Sequence, residues 1–416
     1  MKAPYDTKEV YGMAQEAHGA IHDLLAVRGV SRRDFLKYCS YVAATLGLSE
    51  AAVPQIAAAL EKGAKLKPAL WLNGGSCTGC TESMAQVDTP DVATIVLELL
   101  SLNYFETIMA AAGDYAEEQI AETVKEGGYL LIYEGAVMTG QDGNTLLVNG
   151  HKGTDILQEA ASNADAIIAV GACAVDGGWV YAHPNPAGGI GVQSFLDGVK
   201  VNKPVVNIPC CPMNPEWVVA MVVQWLLVAG DDPGVFLEKT ALLQRTYHDT
   251  LRDADVVLNY PEYIVSQSIH DNCPRRGHFE NGEFVTEFGS PEEAMGYCLY
   301  KVGCKGPQTF TQCPITRWNR SVSWCVQSGA PCIGCGNLNW VDNGAPFFKR
   351  LSSMQVGGSL GNVQPGSIGA VVGGVAAAAL IAHGLGTKAA GRMGDGPKVE
   401  EMKAYDRKRM AKGGDK

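Results

Sequence analysis

The cysteines constrain this chain more than any other feature of its sequence. There are 13 of them among 416 residues, and an odd number excludes a fully paired intramolecular disulfide framework. A chain of this length also buries enough apolar surface to fold without such cross-links. Cysteine at this density in a large chain is better explained by metal ligation.

Length, charge and composition exclude several classes of protein. The chain carries 33 Lys and Arg against 44 Asp and Glu, a net charge of −11, so we expect no nucleic-acid partner. It is 46% hydrophobic and 19% charged, which is typical of a globular protein rather than a disordered one. The length predicts two or three domains.

The beginning of the chain looks like a twin-arginine export signal. Arg32 and Arg33 stand in the run Ser-Arg-Arg-Asp-Phe-Leu-Lys, which a mildly apolar stretch follows. Signals of this type export proteins that are already folded and loaded with cofactors. The alternative is an ordinary basic helix start. We interpret residues 1–66 as the signal-peptide region and exclude them from the fold.

The end of the chain contains a weakly apolar run. Residues 368–385 carry almost no charge and are rich in Ala and Gly, and a tail with many Lys and Arg residues follows. The run is at the lower limit for a membrane span, and its hydrophobicity is weak. Residues 351–416 are therefore a C-terminal tail that either anchors the chain through 368–385 or ends in a flexible or packing segment.

Between these ends, the pattern up to residue 231 predicts an α/β fold with a mostly parallel sheet. Apolar runs alternate with amphipathic segments such as 114–126 and 155–163, which we predict to be helices. In such folds, ligands bind beyond the carboxyl ends of the strands. The predicted strands are 69–72, 129–133, 166–170 and 205–208.

Three of these four predicted strands lead directly into cysteine. The sheet edge would therefore gather four thiols that lie far apart in sequence, as a cubane iron–sulfur cluster requires. Structural zinc is the competing metal, but ligands spread over three strand ends are less typical of a compact zinc site. The four residues are Cys77, Cys80, Cys173 and Cys211.

A second group of ligand-type residues lies between about 260 and 343, where the periodicity is weak and turn residues are frequent. A segment so poor in regular structure buries little core, and bound clusters would supply the missing cross-links. Seven cysteines and one histidine make two sets of four, whereas we interpret His278 as structural. The eight are His270, Cys273, Cys298, Cys304, Cys313, Cys325, Cys332 and Cys335.

Taken together, these motifs resemble the small, electron-transferring subunit of nickel–iron hydrogenases. The resemblance covers roughly residues 67–343 and includes the export signal. It rests on several motifs in order: Cys77-Thr78-Gly79-Cys80-Thr81-Glu82-Ser83, Gly171-Ala172-Cys173-Ala174 with Gly177-Gly178, Pro209 to Pro215, Ile269-His270-Asp271-Asn272-Cys273-Pro274, Lys305-Gly306-Pro307 through Cys313-Pro314, and Val326-Gln327-Ser328-Gly329 through Cys335.

The resemblance implies a flavodoxin-like domain at 67–231 and a loop-rich cluster-binding domain at 232–350. It also implies three iron–sulfur clusters. The proximal 4Fe–4S cluster would take Cys77, Cys80, Cys173 and Cys211, the distal 4Fe–4S cluster would take His270, Cys273, Cys298 and Cys304, and the medial cluster would take Cys313, Cys332 and Cys335.

The chain departs from the family at the medial cluster. Most relatives carry proline in place of Cys325 and hold three irons there. A thiolate at Cys325 would supply a fourth ligand, so we predict a medial 4Fe–4S cluster, with 3Fe–4S as the alternative. If Cys325 does not ligate, it is a free cysteine packing as a small hydrophobe.

Other departures concern the proximal site. Oxygen-tolerant relatives carry extra cysteines where this chain has Gly79 and Gly178, so we expect no modified proximal cluster. Ser76 replaces a usual acidic residue, which leaves Glu82 as a candidate polar neighbour.

Two cysteines remain outside the three ligand sets. Cys39 lies in the export signal. Successive side chains of an extended segment point in opposite directions, so we expect Cys210 to point away from the site of Cys211 and to be a bystander.

The function implied by the resemblance is an electron relay. A separate large subunit would hold the nickel–iron centre, so this chain has no catalytic residue of its own. The pair is a heterodimer or a higher assembly. It would pass electrons from hydrogen to a membrane cytochrome b or a cytochrome c, in the periplasm or on the outer face of the cytoplasmic membrane.

Two alternatives stay open. The first is an iron–sulfur electron-transfer subunit of another respiratory complex, of the NADH dehydrogenase type, which carries adjacent cysteines much as Cys210 and Cys211 are adjacent here. The eight further ligands after residue 260 argue against it. The second is a zinc-stabilised binding protein.

Overall fold

The computed structural model describes residues 67–87, 100–228 and 235–348, with short pieces at 37, 39–40, 43, 53–54, 354–355, 362–363 and 382–383. It divides into two compact units, Met1–Leu351 and Ser352–Lys416. The twin-arginine motif and nearly all of 368–385 lie outside the described residues, and the domain boundary at 231 stays a prediction. Among the described residues, no helix has the length and apolarity to cross a membrane.

A five-stranded parallel sheet forms the centre of the first unit. Its strand order is β2-β1-β3-β4-β5, the order of flavodoxin-like doubly wound folds, and the predicted α/β class is confirmed. All four predicted strands are present. The strands are β1 Lys67–Asn73, β2 Leu100–Phe105, β3 Leu130–Glu134, β4 Ala166–Val170 and β5 Val205–Ile208.

Strand β2 was not predicted from the sequence. It lies at the edge of the sheet, and three of its six residues are only partly buried. An edge strand tolerates polar residues that an inner strand of a parallel sheet would not carry, and the sequence Leu-Ser-Leu-Asn-Tyr-Phe includes two of them, Ser101 and Asn103.

The register of the sheet aligns the carboxyl ends of its inner strands. Asn73 of β1 pairs with Glu134 of β3, Glu134 pairs with Val170 of β4, and Val170 pairs with Ile208 of β5. The segments that follow these strands therefore begin at one edge of the sheet, where ligands bind in open α/β folds.

Helices cover both faces of the sheet, so that its strands are buried on each side. One core contains Leu131 and Ile167, and the opposite core contains Ile132, Ile168 and Trp217. The helices of this part are α1 Gly79–Met84, α2 Asp114–Glu126, α3 Gly153–Asn163, α4 Gly171–Asp176, α5 Gly178–Tyr181, α6 Val192–Gly198, α7 Pro215–Val228 and α8 Val235–Lys239.

An antiparallel hairpin follows, with β6 at Leu242–Asp249 and β7 at Ala254–Pro261. It packs beside β5, because the amide of Asn207 in β5 donates to the Asn259 carbonyl of β7 at 3.2 Å. Beyond the hairpin, the described helices are short: α9 Glu262–Val265, α10 Arg276–Glu280, α11 Pro291–Ala294, α12 Cys313–Thr316 and α13 Trp340–Gly344.

Short elements complete the described residues. The 3₁₀ turns are Gly140–Gly143, Ile269–Asn272, Leu299–Val302 and Gly306–Gln308. The two-residue strand pairs are Val137–Met138 with Gly189–Ile190, Leu147–Val148 with His151–Lys152 and, in the second unit, Met354–Gln355 with Asn362–Val363. The predicted scarcity of regular structure after the hairpin is thus observed.

Candidate metal centres

The first group of cysteines lies at the carboxyl edge of the sheet. Cys77 and Cys80 follow β1, Cys173 lies in α4 directly after β4, and Cys211 follows β5. Cys173 interacts electrostatically with Cys80 and Cys211, and Cys77 interacts in the same way with Cys173 and Cys211. The structure therefore brings together the four residues predicted as proximal ligands.

Three of these thiols resist ionisation by themselves. Burial raises the pKa of Cys173 to about 11 and that of Cys211 to about 12, and burial raises the pKa of Cys80 well above its usual value. Buried thiolates need a cationic partner, and coordination to iron supplies one. Gly171 has a φ of +83°, and a Cβ there would collide with the Cys80 sulfur, so only glycine fits.

A buried carboxylate that was not predicted from the sequence supports this site. Glu134, the last residue of β3, is 2% exposed. Its Oε1 accepts from Ser76 Oγ at 2.9 Å and from the Cys80 N–H at 3.0 Å. Its Oε2 accepts from Trp71 Nε1 at 3.2 Å, the Thr81 N–H at 3.1 Å and Thr81 Oγ1 at 2.6 Å. These bonds fix the loop that carries Cys77 and Cys80.

Glu82, the candidate polar neighbour, is exposed on α1, and Glu134 takes the buried position instead. The expectation that Glu82 is a polar neighbour of the proximal site was therefore wrong. Cys80 and Thr81 lie on the buried side of α1, whereas the side chain of Glu82 points to the exposed side. A charged residue at the carboxyl end of the apolar run Leu130–Tyr133 was the available signal for Glu134.

The second group of cysteines surrounds a cavity of about 300 Å³. This volume is at the lower end of the usual range for ligand sites, about 300–1,000 Å³. Every predicted medial ligand contributes to its wall, together with two cysteines that were not predicted there. The six are Cys313, Cys325, Cys332, Cys335, Cys210 and Cys211.

Polar groups contact the sulfurs of this cavity. Thr311 Oγ1 lies 2.9 Å from the Cys313 sulfur, and the Gly334 N–H donates to the Cys332 sulfur at 3.4 Å. Cys325 is exposed as a residue, yet its thiol faces the cavity, where burial and then the charges of the neighbouring cysteines raise its pKa to about 12. The donor set fits a four-thiolate cluster.

Cys210, which we expected to be a bystander, lines the medial cavity. Cys211 contributes to the wall of the same cavity. Cys210 is fully buried and has a φ of 86°. Its thiol is hydrogen-bonded to the thiols of Cys313 and Cys335, and these bonds raise the pKa of Cys210 and lower that of Cys335.

The third group contains the four predicted distal ligands. His270, Cys273, Cys298 and Cys304 line one cavity of about 20 Å³, so a cluster there requires these side chains to move apart. The His270 ring packs edge-on against Phe279, with ring centroids 4.6 Å apart. Burial lowers the pKa of His270, which favours the neutral imidazole that binds metal. The donor set fits the predicted cluster.

A buried lysine lies between the second and third groups. Lys305 is 4% exposed; burial lowers its pKa, and the charges of Cys332 and Cys304 oppose that shift. The Cys332 N–H donates to the Cys304 sulfur at 3.4 Å, so the two groups are in direct contact. The only sign of Lys305 in the sequence was its position directly after Cys304.

Within residues 67–87, 100–228 and 235–348, no group of three ligand-type side chains has the geometry of a site for one metal ion. A polynuclear cluster needs its thiolates further apart, one at each iron.

Fold and sites together define a class: a flavodoxin-like α/β protein whose sheet edge and loop-rich extension carry thiol sites suited to iron–sulfur clusters. A family model for the C-terminal part of the small subunit of NiFe and NiFeSe hydrogenases matches residues 265–348. Another, for the 20 Kd subunit of NADH ubiquinone oxidoreductase, matches residues 77–225.

This chain matches its relatives over almost their whole length. The periplasmic [NiFe] hydrogenase small subunit 1 of Nitratidesulfovibrio vulgaris is 38% identical, over 78% of this chain and 95% of the relative. The uptake hydrogenase small subunit of Azotobacter vinelandii is 37% identical, over 87% and 94%. A chain of the [NiFeSe] hydrogenase structure from Desulfovibrio vulgaris Hildenborough matches with a TM-score of 0.61 and 33% identity, over 68% and 98%. The protein belongs to the small-subunit family of nickel–iron hydrogenases.

Proposed function

We propose that this chain carries electrons between a nickel–iron large subunit, which splits hydrogen, and an external acceptor. The strongest support for the proposal is that the three groups of ligand-type residues adjoin one another within a fold that matches this family. The heterodimer is the smallest assembly in which the chain would act. In agreement with its family, we assign no catalytic residue to this chain.

The first step of the relay runs from the proximal to the medial site. Cys211 is a predicted proximal ligand, and it also lines the medial cavity together with its neighbour Cys210. The Cys211 backbone also hydrogen-bonds to Cys335. A short covalent and hydrogen-bonded connection of this kind supports electron transfer between the two sites.

The second step runs from the medial to the distal site. It uses the contact between the Cys332 N–H and the Cys304 sulfur. Buried Lys305 adjoins both cysteines and places positive charge beside the thiolates. The distal site then ends at His270, which is partly exposed and therefore accessible to an acceptor.

Bound iron–sulfur clusters would supply the one-electron chemistry. The chain holds them through the twelve predicted ligands, and five of the eleven ligand cysteines are buried: Cys80, Cys298, Cys304, Cys313 and Cys332. At the medial site, Cys325 is the fourth ligand of a 4Fe–4S cluster. The modified proximal cluster of oxygen-tolerant relatives finds no support, since a Cβ on Gly178 would lie 2.8 Å from the Cys173 nitrogen.

For the cellular setting, we propose export by the twin-arginine route and action at the periplasmic side of the cytoplasmic membrane. Relatives are named periplasmic hydrogenase in Nitratidesulfovibrio vulgaris and quinone-reactive hydrogenase in Wolinella succinogenes. By analogy, the acceptor is a membrane cytochrome b linked to quinone or a cytochrome c, and the physiological direction is hydrogen uptake. Anchoring through 368–385 belongs to the same proposal.

The relay is tested by adding hydrogen to the purified, anaerobic heterodimer. Iron–sulfur absorbance should bleach and EPR signals of reduced clusters should appear. In His270→Ala, the proximal and medial clusters should still be reduced, while reduction of an added cytochrome falls sharply. If hydrogen reduces none of the iron in an intact heterodimer, the relay is wrong.

A further inference from the structure

Cys210 has an unusual position for a residue outside the ligand sets. Its side chain is 0% exposed, and the cavity into which it points is the one lined by the four medial ligands. A Cβ built on Gly336 would lie 3.5 Å from the Cys210 sulfur, so this thiol sits against the backbone that follows Cys335.

The backbone at Cys210 selects this direction. A φ of 86° lies in the left-handed region that favours glycine, and a side chain there costs about 1 kcal/mol or more. The Cys210 carbonyl accepts from the Ala172 N–H at 2.8 Å, which ties the segment to the start of α4. The backbone therefore sets the direction in which the Cα–Cβ bond of Cys210 leaves the chain.

We propose that the Cys210 thiol donates its one hydrogen bond to a ligand sulfur of the medial cluster, that of Cys313 or of Cys335, and thereby raises the reduction potential of the cluster. The inference rests on the proposed relay. Hydrogen bonds to ligand sulfurs are among the features that set the potential of a cluster. Reduction adds negative charge to the cluster and its sulfurs, so a donor stabilises the reduced state more than the oxidised one.

Cys210 acts as a donor rather than as a fifth ligand. Cys313, Cys325, Cys332 and Cys335 already supply one sulfur for each iron of a cubane, and the Cys210 thiol contacts two of these sulfurs instead of standing apart from them. A ligand sulfur would instead be separated from the others by the cluster. The medial potential then depends on a residue that holds no iron.

The test is a redox titration of the heterodimer, followed by EPR, for Cys210→Ala, Cys210→Ser and Cys210→Gly. The S–H group is a weak donor, so removing it should shift the one-electron equilibrium about threefold to tenfold toward the oxidised cluster, with tenfold equal to about 59 mV. Cys210→Ser retains a donor and should restore the wild-type potential. All variants should retain the wild-type iron content.

Cys210→Gly is the matched control. It removes the thiol and also relieves the positive φ, so it should be at least as stable as Cys210→Ala but show the same lowered potential. A wild-type potential in both variants overturns the proposal. Loss of about four irons in Cys210→Ala also overturns it, because Cys210 would then be a ligand. A wild-type heterodimer without iron would instead refute the proposed relay.

Discussion

The carboxylate of Glu134 should be essential to the loop that carries the first two proximal ligands. In Glu134→Gln, one oxygen becomes an NH₂ group, which can accept no hydrogen bond. If that group faces Ser76 and Cys80, the serine hydroxyl can rotate, but the Cys80 N–H loses its partner. If it faces the other way, Trp71 Nε1 and the Thr81 N–H are left unpaired.

The loss of stability in Glu134→Gln follows from the number of hydrogen bonds that are lost or weakened. At least one buried N–H is left without an acceptor, which costs about 1–3 kcal/mol, and the remaining bonds lose their charged acceptor, worth about 1.5–3 kcal/mol in a charge-assisted bond. We therefore expect the free energy of unfolding to fall by about 2.5–6 kcal/mol. Loosening of the loop should also lower the iron content of the proximal site.

The assay is chemical denaturation of the heterodimer together with an iron count. Glu82→Gln is the matched control, because Glu82 lies on the same loop and helix but is exposed; its effect should be within about 0.5 kcal/mol. The reasoning about buried donors is refuted if both variants have the stability and iron content of the wild type.

Three further predictions concern other sites. Burial raises the pKa of Asp176 to about 6. The stabilisation from its protonated carboxyl group is therefore complete below about pH 4 and is lost as the pH rises through about 6. The difference in the free energy of unfolding between wild type and Asp176→Asn, measured by denaturation, should change by about 3 kcal/mol over that pH range. No change would contradict a raised pKa for Asp176. Cys325→Ala should lose about one iron and show a 3Fe EPR signal when oxidised, whereas such a signal in the wild-type medial site would contradict Cys325 ligation. His270→Ala should lose distal iron. His278→Ala removes partly exposed contacts with Glu283 and with the Tyr297 ring and should retain that iron; equal losses would contradict the ligand assignment.

The sequence predicted the sheet well because the inner strands of a parallel sheet are buried on both faces and form continuous apolar runs. The strand 166–170 was predicted with the bounds that β4 has. The edge strand β2 was missed because its mixed polarity lacks that pattern. Cysteines at strand ends were predicted to converge because parallel strands share a carboxyl edge.

The environment of single side chains could not be predicted in the same way. The alternation of side chains expected at Cys210 assumes an extended segment, whereas its φ is 86°, and its neighbour Cys335 lies 125 positions further along the chain. Only tertiary packing brings the two together. Glu134 presented the same difficulty, because its donors come from a loop more than 50 residues earlier.

The central claim is that the chain holds three iron–sulfur clusters in one relay. Iron, labile-sulfide and zinc counts on the purified heterodimer test it most directly. The account predicts about twelve irons and as many sulfides for each copy of this chain, beyond the iron of the large subunit, because three cubane clusters hold four irons each. Zinc in place of this iron, or enough iron for only one cluster, would contradict it.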